Sequence, residues 1–218
     1  MLPLYFLYSI SEQNTSWSIG MKRFKKYVAE GLLIIFSVLF ALFINQWFDD
    51  YQTHRRKEVA LESIQSELYR NRSILASWKE HHMAIRDRIT GVLEGRNDSL
   101  LVALTQKNFL DLGLLTNNES LVDAVLTHTA WESAKSTGII AEFDFETTQK
   151  LTQVYSMQRV LTDRTLANIL DFYFDTQAHD MENIDQILVQ FQLRFWELTG
   201  QEELMTSLYQ QAIEKIEE

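Results

Sequence analysis

The sequence predicts an all-α protein in which a single N-terminal transmembrane helix continues into a long stalk helix, packed in an antiparallel helical bundle. Three observations support this prediction: only one proline and seven glycines in 218 residues, one long apolar run near the N-terminus, and apolar residues at helical spacing after it. Few turn residues and no series of short alternating segments argue against a β-sandwich. The length allows one domain or two small ones.

Charge is unevenly distributed along the chain. Residues 1–48 carry a net charge of +2, residues 49–99 are neutral, and residues 100–218 carry −12, with seven basic and nineteen acidic side chains. Because an acidic surface repels phosphates, we expect no nucleic-acid binding. The chain has no cysteine, which excludes disulfides, thiolate catalysis and Cys-ligated zinc.

The first twenty residues differ from the rest of the chain. They are polar in the middle, and their apolar start is too short to cross a bilayer. Met21 begins the basic sequence MKRFKK, which is typical of the start of a bacterial inner-membrane anchor. We therefore expect residues 1–20 to be an upstream extension that is disordered or not translated, and residues 21–26 to be a basic cytoplasmic segment.

Residues 27–48 form the predicted transmembrane helix. Residues 31–44 contain no charged or strongly polar side chain, and the whole segment is about 33 Å long as a helix, enough to cross the lipid bilayer. Tyr27 and Trp47 are suited to the two membrane interfaces. The alternative to a membrane span is a helix buried in a protein core.

The basic residues around this segment predict its orientation. Residues 22–26 contain four basic side chains, whereas Asp49 and Asp50 follow the span and precede the basic residues 55–57. Basic residues favour the cytoplasmic side. We expect a bacterial inner-membrane protein with a cytoplasmic N-terminus and with residues 49–218 in the periplasm or otherwise outside the cytoplasm.

Three residues mark the predicted membrane edges: Glu30, Asn45 and Trp47. Glu30 lies one turn inside the span and four residues after Lys26, so that it can pair with the lysine and reach the interface. The alternative is a role in helix association or in a partner contact, since acidic groups inside membranes are often functional. A homodimer through the span therefore stays open.

The stalk helix is predicted over residues 49–95. From Leu61 onward, residues at alternating spacings of three and four form one narrow stripe, here called the seam. Its members are Leu61, Ile64, Leu68, Asn71, Leu75, Trp78, His82, Ile85, Ile89 and Val92.

Two arrangements of the seam are open. Between two chains, Asn71 would face Asn71 and select a parallel dimer. Within one chain, Asn71 would bond to a loop of the same bundle, and Trp78 would pack on a helix formed by residues 145–173. We expect the internal arrangement, and therefore a monomeric unit for residues 58–218.

Residues 96–218 are predicted to complete the soluble domain. The sequence GRNDS at residues 95–99 indicates a break, with Asp98 or Ser99 capping a helix over residues 100–110. A loop over residues 112–118 and a helix from Glu119 to a stop at Gly138 follow.

Two further helices are predicted from capping residues. Asp144 caps a helix that runs to about Phe174, and Asp180 caps another that ends at residues 199–200. Glu202 favours the start of a last helix through the helix dipole.

Two sequence blocks resemble a family of bacterial single-pass membrane proteins of unknown function. The first is AEGLLIIFSVLFALFINQWFDD at residues 29–50, followed by ELYRN at residues 67–71. The second is TAWESAKSTG at residues 129–138. Members carry a Gly-Glu pair entering the span, an Ala-Leu-x-Ile-Asn-x-Trp exit and a Thr-Ala-Trp turn; in this chain, alanine precedes Glu30. The resemblance covers roughly residues 22–175 and implies architecture only, because the family has no assigned activity.

Trp131, Glu132 and Tyr155 are the candidate partner or ligand residues. One interpretation is a cleft with Trp131 and Tyr155 at its floor and Glu132 at its rim. The other is a tryptophan that fills the core beside a helix stopped by glycine. We expect no catalytic residue, metal or cofactor. The adjacent His81 and His82 point about 100° apart on a helix, so they do not chelate a metal together.

Two functions are compatible with this organisation. The first is a membrane-anchored helical interaction or scaffold module, whose acidic bundle binds an unknown protein partner. The second is an extracytoplasmic ligand-sensing bundle that acts through a membrane partner, because the cytoplasmic segment is too short to carry a signalling domain. We expect that the protein is not an enzyme.

Overall fold

The protein is all-helical. The structure, a computed structural model, describes residues 25–218 with their side chains and, before them, the helical backbone from Tyr5. No strand occurs in this described part. The predicted upstream extension, residues 1–20, lies outside the residues whose side chains are described and stays a prediction.

Helix α1, Tyr5–Leu93, contains the long apolar run. Contacts divide the chain into two units, residues 1–55 and 56–218. In the first unit, the side chains from residue 25 onward are exposed over nearly the whole helix surface. By length and composition this helix can cross a membrane, and no residue of its most apolar 18-residue window is buried within the protein.

In the second unit, α1 buries the predicted seam. Every seam residue from Ile64 to Val92 is buried, including the polar Asn71 and His82, and Leu61 is partly buried. The helix ends at Leu93, two residues before the predicted limit, and Gly95 adopts a left-handed conformation with φ of 66°. The 3-4 spacing therefore predicted the inward face of α1 correctly.

The region after α1 differs from the prediction. Helix α2, Asp98–Thr105, is capped by Asn97 and ends before the predicted Leu110. Helix α3, Leu112–Thr116, lies where a loop was predicted. Asn117 and Asn118 have φ near 60°, a left-handed conformation that ends α3.

The helix predicted from Glu119 is mostly absent. Helix α4, Thr129–Ser136, forms only its last part, whereas residues 117–128 are non-helical. The reason is that side chains of α1 bond the backbone of this segment, as described below. Gly138, with φ of 74°, ends the turn after α4 as predicted.

The prediction for the helix capped by Asp144 is confirmed. Helix α5, Phe145–Val160, continues through a π-helical segment, Leu161–Leu166, into α6, Ala167–Phe174. The Asp144 carboxylate accepts a hydrogen bond from the Thr147 backbone N–H at 2.9 Å. This bond satisfies one of the free N–H groups at the helix start.

Helix α7, Ile184–Glu217, corrects two predictions. Asn183, rather than Asp180, occupies the N-cap position. The helix also continues through residues 199–200, where an end was predicted. The glycine weakens a helix by about 1 kcal/mol, whereas the residues on both sides of it bury one continuous face, which outweighs that penalty. The buried residues of α7 are Ile187, Leu188, Phe191, Phe195, Leu198, Thr199, Glu202, Met205, Leu208, Tyr209, Ala212 and Ile213.

Hydrogen bonds join α7 to α1 within the second unit. The pairs are Gln65 with Glu217, Arg72 with Gln210, His82 with Glu202, and Thr90 with Gln192. The residue number rises along α1 as it falls along α7.

Candidate functional site

Residues 117–128, here called the strap, follow α1 as a non-helical segment. The two segments run in opposite directions, because residue numbers rise along α1 as they fall along the strap. The contacts are Asn71 with Thr127, Trp78 with Asp123, and His82 with Leu121. Asn71 and His82 therefore supply bonds that a helix or sheet would otherwise give to the strap backbone, while Trp78 bonds the Asp123 side chain.

Asn71 makes the central contact with the strap. Its side-chain oxygen accepts from the Thr127 backbone N–H at 2.9 Å, and its amide N–H₂ donates to the Thr127 carbonyl at 2.6 Å. Gln158 donates to the same carbonyl at 3.1 Å. Asn71 thus bonds to a loop of the same chain, as the internal arrangement of the seam predicted.

Glu67, one turn before Asn71, holds the start of α4. One carboxylate oxygen accepts from the Ala130 backbone N–H at 3.0 Å, and the other accepts from the Tyr155 hydroxyl at 2.7 Å. Burial and this bond to a carboxylate raise the pKa of Tyr155 well above its usual value. Tyr155 therefore acts as a hydrogen-bond donor throughout the physiological pH range.

Tyr209 connects α7 to the same buried network. Its hydroxyl donates to the Gln158 side-chain oxygen at 2.8 Å. Burial raises the pKa of Tyr209, and the negative charge of Glu67 raises it further. The network therefore joins α1, the strap, α5 and α7 through four polar side chains in addition to Tyr155: Glu67, Asn71, Gln158 and Tyr209.

His82 and Glu202 form a fully buried pair between α1 and α7. The His82 Nδ1 lies 2.6 Å from a Glu202 carboxylate oxygen, and its Nε2 lies 2.7 Å from the Leu121 carbonyl oxygen. Both partners are acceptors, so both contacts are hydrogen bonds when the ring carries two protons or when Glu202 carries one. These two contacts join α1 to α7 and hold the strap at Leu121.

Trp78 and His81 contact the strap beside this pair. The Trp78 indole N–H donates to Asp123 at 3.1 Å, and His81 lies 3.1 Å from the Glu119 carboxylate. Burial lowers the pKa of His81, and the nearby His82 adds to the effect. Among residues 25–218, no group of three or more His, Asp or Glu side chains is placed to hold a metal ion.

The structure brings the predicted Trp131 and Tyr155 together. Their rings stack with centroids 5.4 Å apart and planes 3° from parallel, and only 6% and 5% of the two residues are exposed. Glu132 is half-buried and accepts a hydrogen bond from the Lys135 ammonium at 3.0 Å, which lowers the pKa of the carboxyl. This packing matches the interpretation of a tryptophan that fills the core.

The three membrane-edge residues lie on α1 with exposed side chains. Glu30 is 3.8 Å from the Lys26 ammonium, as its spacing predicted. Asn45 donates to Asp49 at 3.1 Å, and Trp47 is exposed. Glu30 and Asn45 thus each have a partner one helical turn away, toward the nearer end of the apolar run.

The outward face of α7 carries a second, exposed set of apolar residues. Val189, Leu193, Trp196 and Leu204, here called the outer stripe, are all exposed. Beside it, α6 and α7 enclose a groove of about 620 Å³. The groove is lined by Thr165, Asn168, Asp171, Phe172, Asp175, Leu193, Arg194 and Glu197.

Sequence reasoning identified Asn71, Trp78 and His82 but missed most of their partners. Glu67 was noted only as part of the ELYRN block, although it lies four residues before Asn71 on the same face. Glu202 was interpreted as a helix-start residue, because a break was predicted before it. Neither the strap nor the outer stripe was predicted. A scan for polar residues at seam spacing would have found Glu67.

Comparison of the chain with protein-family models, with curated proteins and with solved structures finds no match.

Proposed function

We propose that this protein is a membrane-anchored helical interaction module of the bacterial inner membrane. Residues 27–48 cross the bilayer, the basic N-terminal segment lies in the cytoplasm, and residues 49–218 lie outside it. The role is to hold a helical docking domain at the membrane for a protein partner, without catalysis of its own. The sequence resemblance to single-pass membrane proteins supports the same organisation.

The observation that carries this proposal is the exposed apolar surface of α1 before Asp49. Its aromatic and branched aliphatic side chains have no partner within the protein among the described residues, and Phe36 and Phe40 stack only on each other. Burying such a surface in water-free lipid recovers about 25 cal/mol per Å². A lipid bilayer is the environment that gives this surface a stable partner.

The second unit supports an interaction role. We infer that its helices pack as an antiparallel bundle, because the bonded pairs of α1 and α7 run in opposite directions along the two helices. The buried polar side chains Asn71, His82 and Gln158 are occupied by contacts that hold the strap. The large apolar side chains of the outer stripe, in contrast, are free to meet another protein.

Single cysteines test the orientation directly, because the chain has no cysteine of its own. We would place one cysteine at exposed Val125 (V125C) in the second unit and, as the matched control, one at Lys26 (K26C) before the span. A membrane-impermeant maleimide is added to cells with a permeabilised outer membrane. We expect V125C to react in these cells, whose inner membrane is intact, and K26C to react only after lysis.

Three results would contradict the proposal. Reaction of K26C but not V125C would reverse the orientation. Reaction of both only after lysis would place both segments in the cytoplasm. Recovery of the full chain in the soluble fraction after alkaline carbonate treatment would exclude the membrane span.

A further inference from the structure

We propose that the outer stripe and the acidic groove beside it bind a basic amphipathic helix of another protein. This inference rests on the proposed function and names the chemistry of the partner: apolar residues along one side of the helix, flanked by lysine or arginine. Residues of α6 and α7 form the docking surface.

The spacing of the outer stripe is that of a helix contact. Val189, Leu193 and Trp196 follow each other at four and three residues, and Leu204 continues the row two turns later, so that all four share one face of α7. Between 40% and 61% of each residue is exposed. Single exposed apolar residues are common on monomeric proteins, whereas contiguous apolar patches rimmed by polar residues mark interaction surfaces. The buried core of α7 lies on the opposite face and does not use these residues.

Gly200 lies within this row, between Trp196 and Leu204. It is inside a continuous helix, where glycine is about 1 kcal/mol less favourable than alanine. Apart from its chain neighbours and the adjoining backbone of α7, no atom of the protein lies within 4 Å of the position that a Cβ would occupy, and its φ is not left-handed. Neither the fold nor the backbone conformation therefore requires glycine here. A partner helix passing over this point would require it, because a missing side chain allows two helix backbones to approach closely.

The groove determines the charge of the partner. Asp171 on α6, Asp175 directly after α6 and Glu197 on α7 all line it. The one basic side chain in the lining, Arg194, is placed over the Phe172 ring at 4.1 Å. Arg86 is similarly placed over the Trp196 ring at 5.7 Å. The groove thus has a net negative charge beside an apolar row, which complements an apolar helix with basic flanks.

A second copy of this chain does not fit the surface as well. It would bring the same acidic groove against the first, and residues 100–218 carry a net charge of −12. Like charges brought together at an interface cost several kcal/mol. The charge pattern therefore favours a different, basic partner.

Photocrosslinking of the full chain in its native cells tests the proposal. A photoreactive phenylalanine analogue replaces Leu193 or Leu204 and, as matched controls, the exposed apolar Val125 or Phe145 outside the surface. We expect a discrete adduct from the two outer-stripe positions and none from the controls. Peptide mapping should place the crosslink on a helical segment of another protein with apolar residues at 3-4 spacing and flanking lysine or arginine.

Charge reversal provides the second readout. The double variant Asp171→Lys and Glu197→Lys should reduce the yield of that adduct about tenfold, the equivalent of 1.4 kcal/mol. Glu62→Lys with Glu142→Lys changes the net charge equally at exposed positions outside the groove, and it should leave the yield within about twofold.

Several outcomes would overturn the proposal. They are no adduct at the outer stripe, an adduct with a second copy of the chain or with residues 21–26, a crosslinked segment without basic flanks, and a yield that is insensitive to charge reversal. The cysteine labelling described above, repeated on the same cells, reports separately on the proposed function. A chain that is correctly placed in the membrane but gives no adduct contradicts the docking surface alone.

Substitutions at Gly200 distinguish an effect on docking from an effect on folding. Gly200→Ala should raise the free energy of unfolding, because alanine favours the helix and the space is open. The same substitution should lower the adduct yield, and the bulkier Gly200→Leu should lower it further. A stable variant with an unchanged yield would show that no partner backbone approaches this position.

Discussion

Polar residues are usually exposed and large apolar residues usually buried. Two faces of the second unit depart from this distribution in opposite ways. The seam of α1 buries Asn71 and His82 among apolar side chains. The outer stripe of α7 exposes Trp196, Leu193 and Leu204. Each buried polar residue has partners within the chain, whereas the exposed apolar residues pack on no apolar core. The first departure is therefore explained by the fold, and the second is the basis of the proposed docking surface.

The difference matters because the two departures have different energetic consequences. A buried polar group without a partner costs about 1–3 kcal/mol. Asn71 and His82 therefore favour the one alignment of the strap along α1 in which both are hydrogen-bonded. An exposed apolar side chain costs little in the monomer. Substitutions in the seam should therefore change stability, and those in the outer stripe should change binding.

The largest change in the free energy of unfolding is expected from breaking the His82–Glu202 pair. His82→Leu leaves the Glu202 carboxylate and the Leu121 carbonyl buried without a partner. We expect a loss of about 3–5 kcal/mol in the free energy of unfolding. The measurement is urea unfolding of the full chain in detergent, followed by tryptophan fluorescence, which changes as the buried Trp78 and Trp131 become exposed.

The double variant His82→Leu with Glu202→Leu is the control for this experiment. It removes the uncompensated carboxylate and should recover part of the lost stability. A single variant as stable as the wild type, or a double variant less stable than the single, would contradict the assignment of a buried pair.

A smaller loss is expected at Asn71. Asn71→Leu removes the acceptor for the Thr127 N–H and one donor to its carbonyl, although Gln158 still bonds to that carbonyl. We expect a loss of about 1–3 kcal/mol. Native-state hydrogen exchange should show faster exchange of the Thr127 amide, whereas the Val154 amide inside α5 is affected only through global unfolding. Equal acceleration at both amides would mean that Asn71 does not hold the strap locally.

The seam and the strap also show how far the sequence predicted the molecule. Periodicity predicted which face of α1 is buried, because a 3-4 spacing specifies a face whatever covers it. It did not predict the strap, since residues 119–128 can form a helix by propensity and are non-helical because of bonds to residues far away in the sequence. Local signals do not contain such contacts.

The same limit explains the errors in α7 and in the candidate site. Gly200 was interpreted as a helix end by its residue type, while the burial of Leu198 and Met205 on either side decided the outcome. Trp131 and Tyr155 were correctly paired. The bond from the Tyr155 hydroxyl to Glu67, which holds this stacked pair against α1, depends on the position of α1. The sequence of the turn at residues 129–138 does not encode that position.

An effect of about 1 kcal/mol is expected at the cap of α5. Asp144→Ala removes the acceptor for the Thr147 backbone N–H. Hydrogen bonds from the Thr147 hydroxyl and backbone lower the pKa of Asp144. The stabilisation is therefore present above the usual carboxyl pKa of about 3.9 and is lost as the pH falls through the lower folded-state value. The difference in unfolding free energy between wild type and variant should accordingly shrink as the pH falls below about 4, and a constant difference would exclude the charged cap.

The smallest effect on stability is expected where the docking surface lies. Trp196→Ser and Leu193→Ser should each change the free energy of unfolding by no more than about 0.5 kcal/mol, because exposed side chains away from packed features contribute little. Trp131→Ala, in the buried stack with Tyr155, should instead cost about 3–5 kcal/mol. Circular dichroism during urea unfolding measures all three variants without depending on tryptophan fluorescence. A loss above 2 kcal/mol at Trp196 would mean that the outer stripe supports the fold itself. The contrast between the two faces would then disappear, since both would serve the fold rather than a partner.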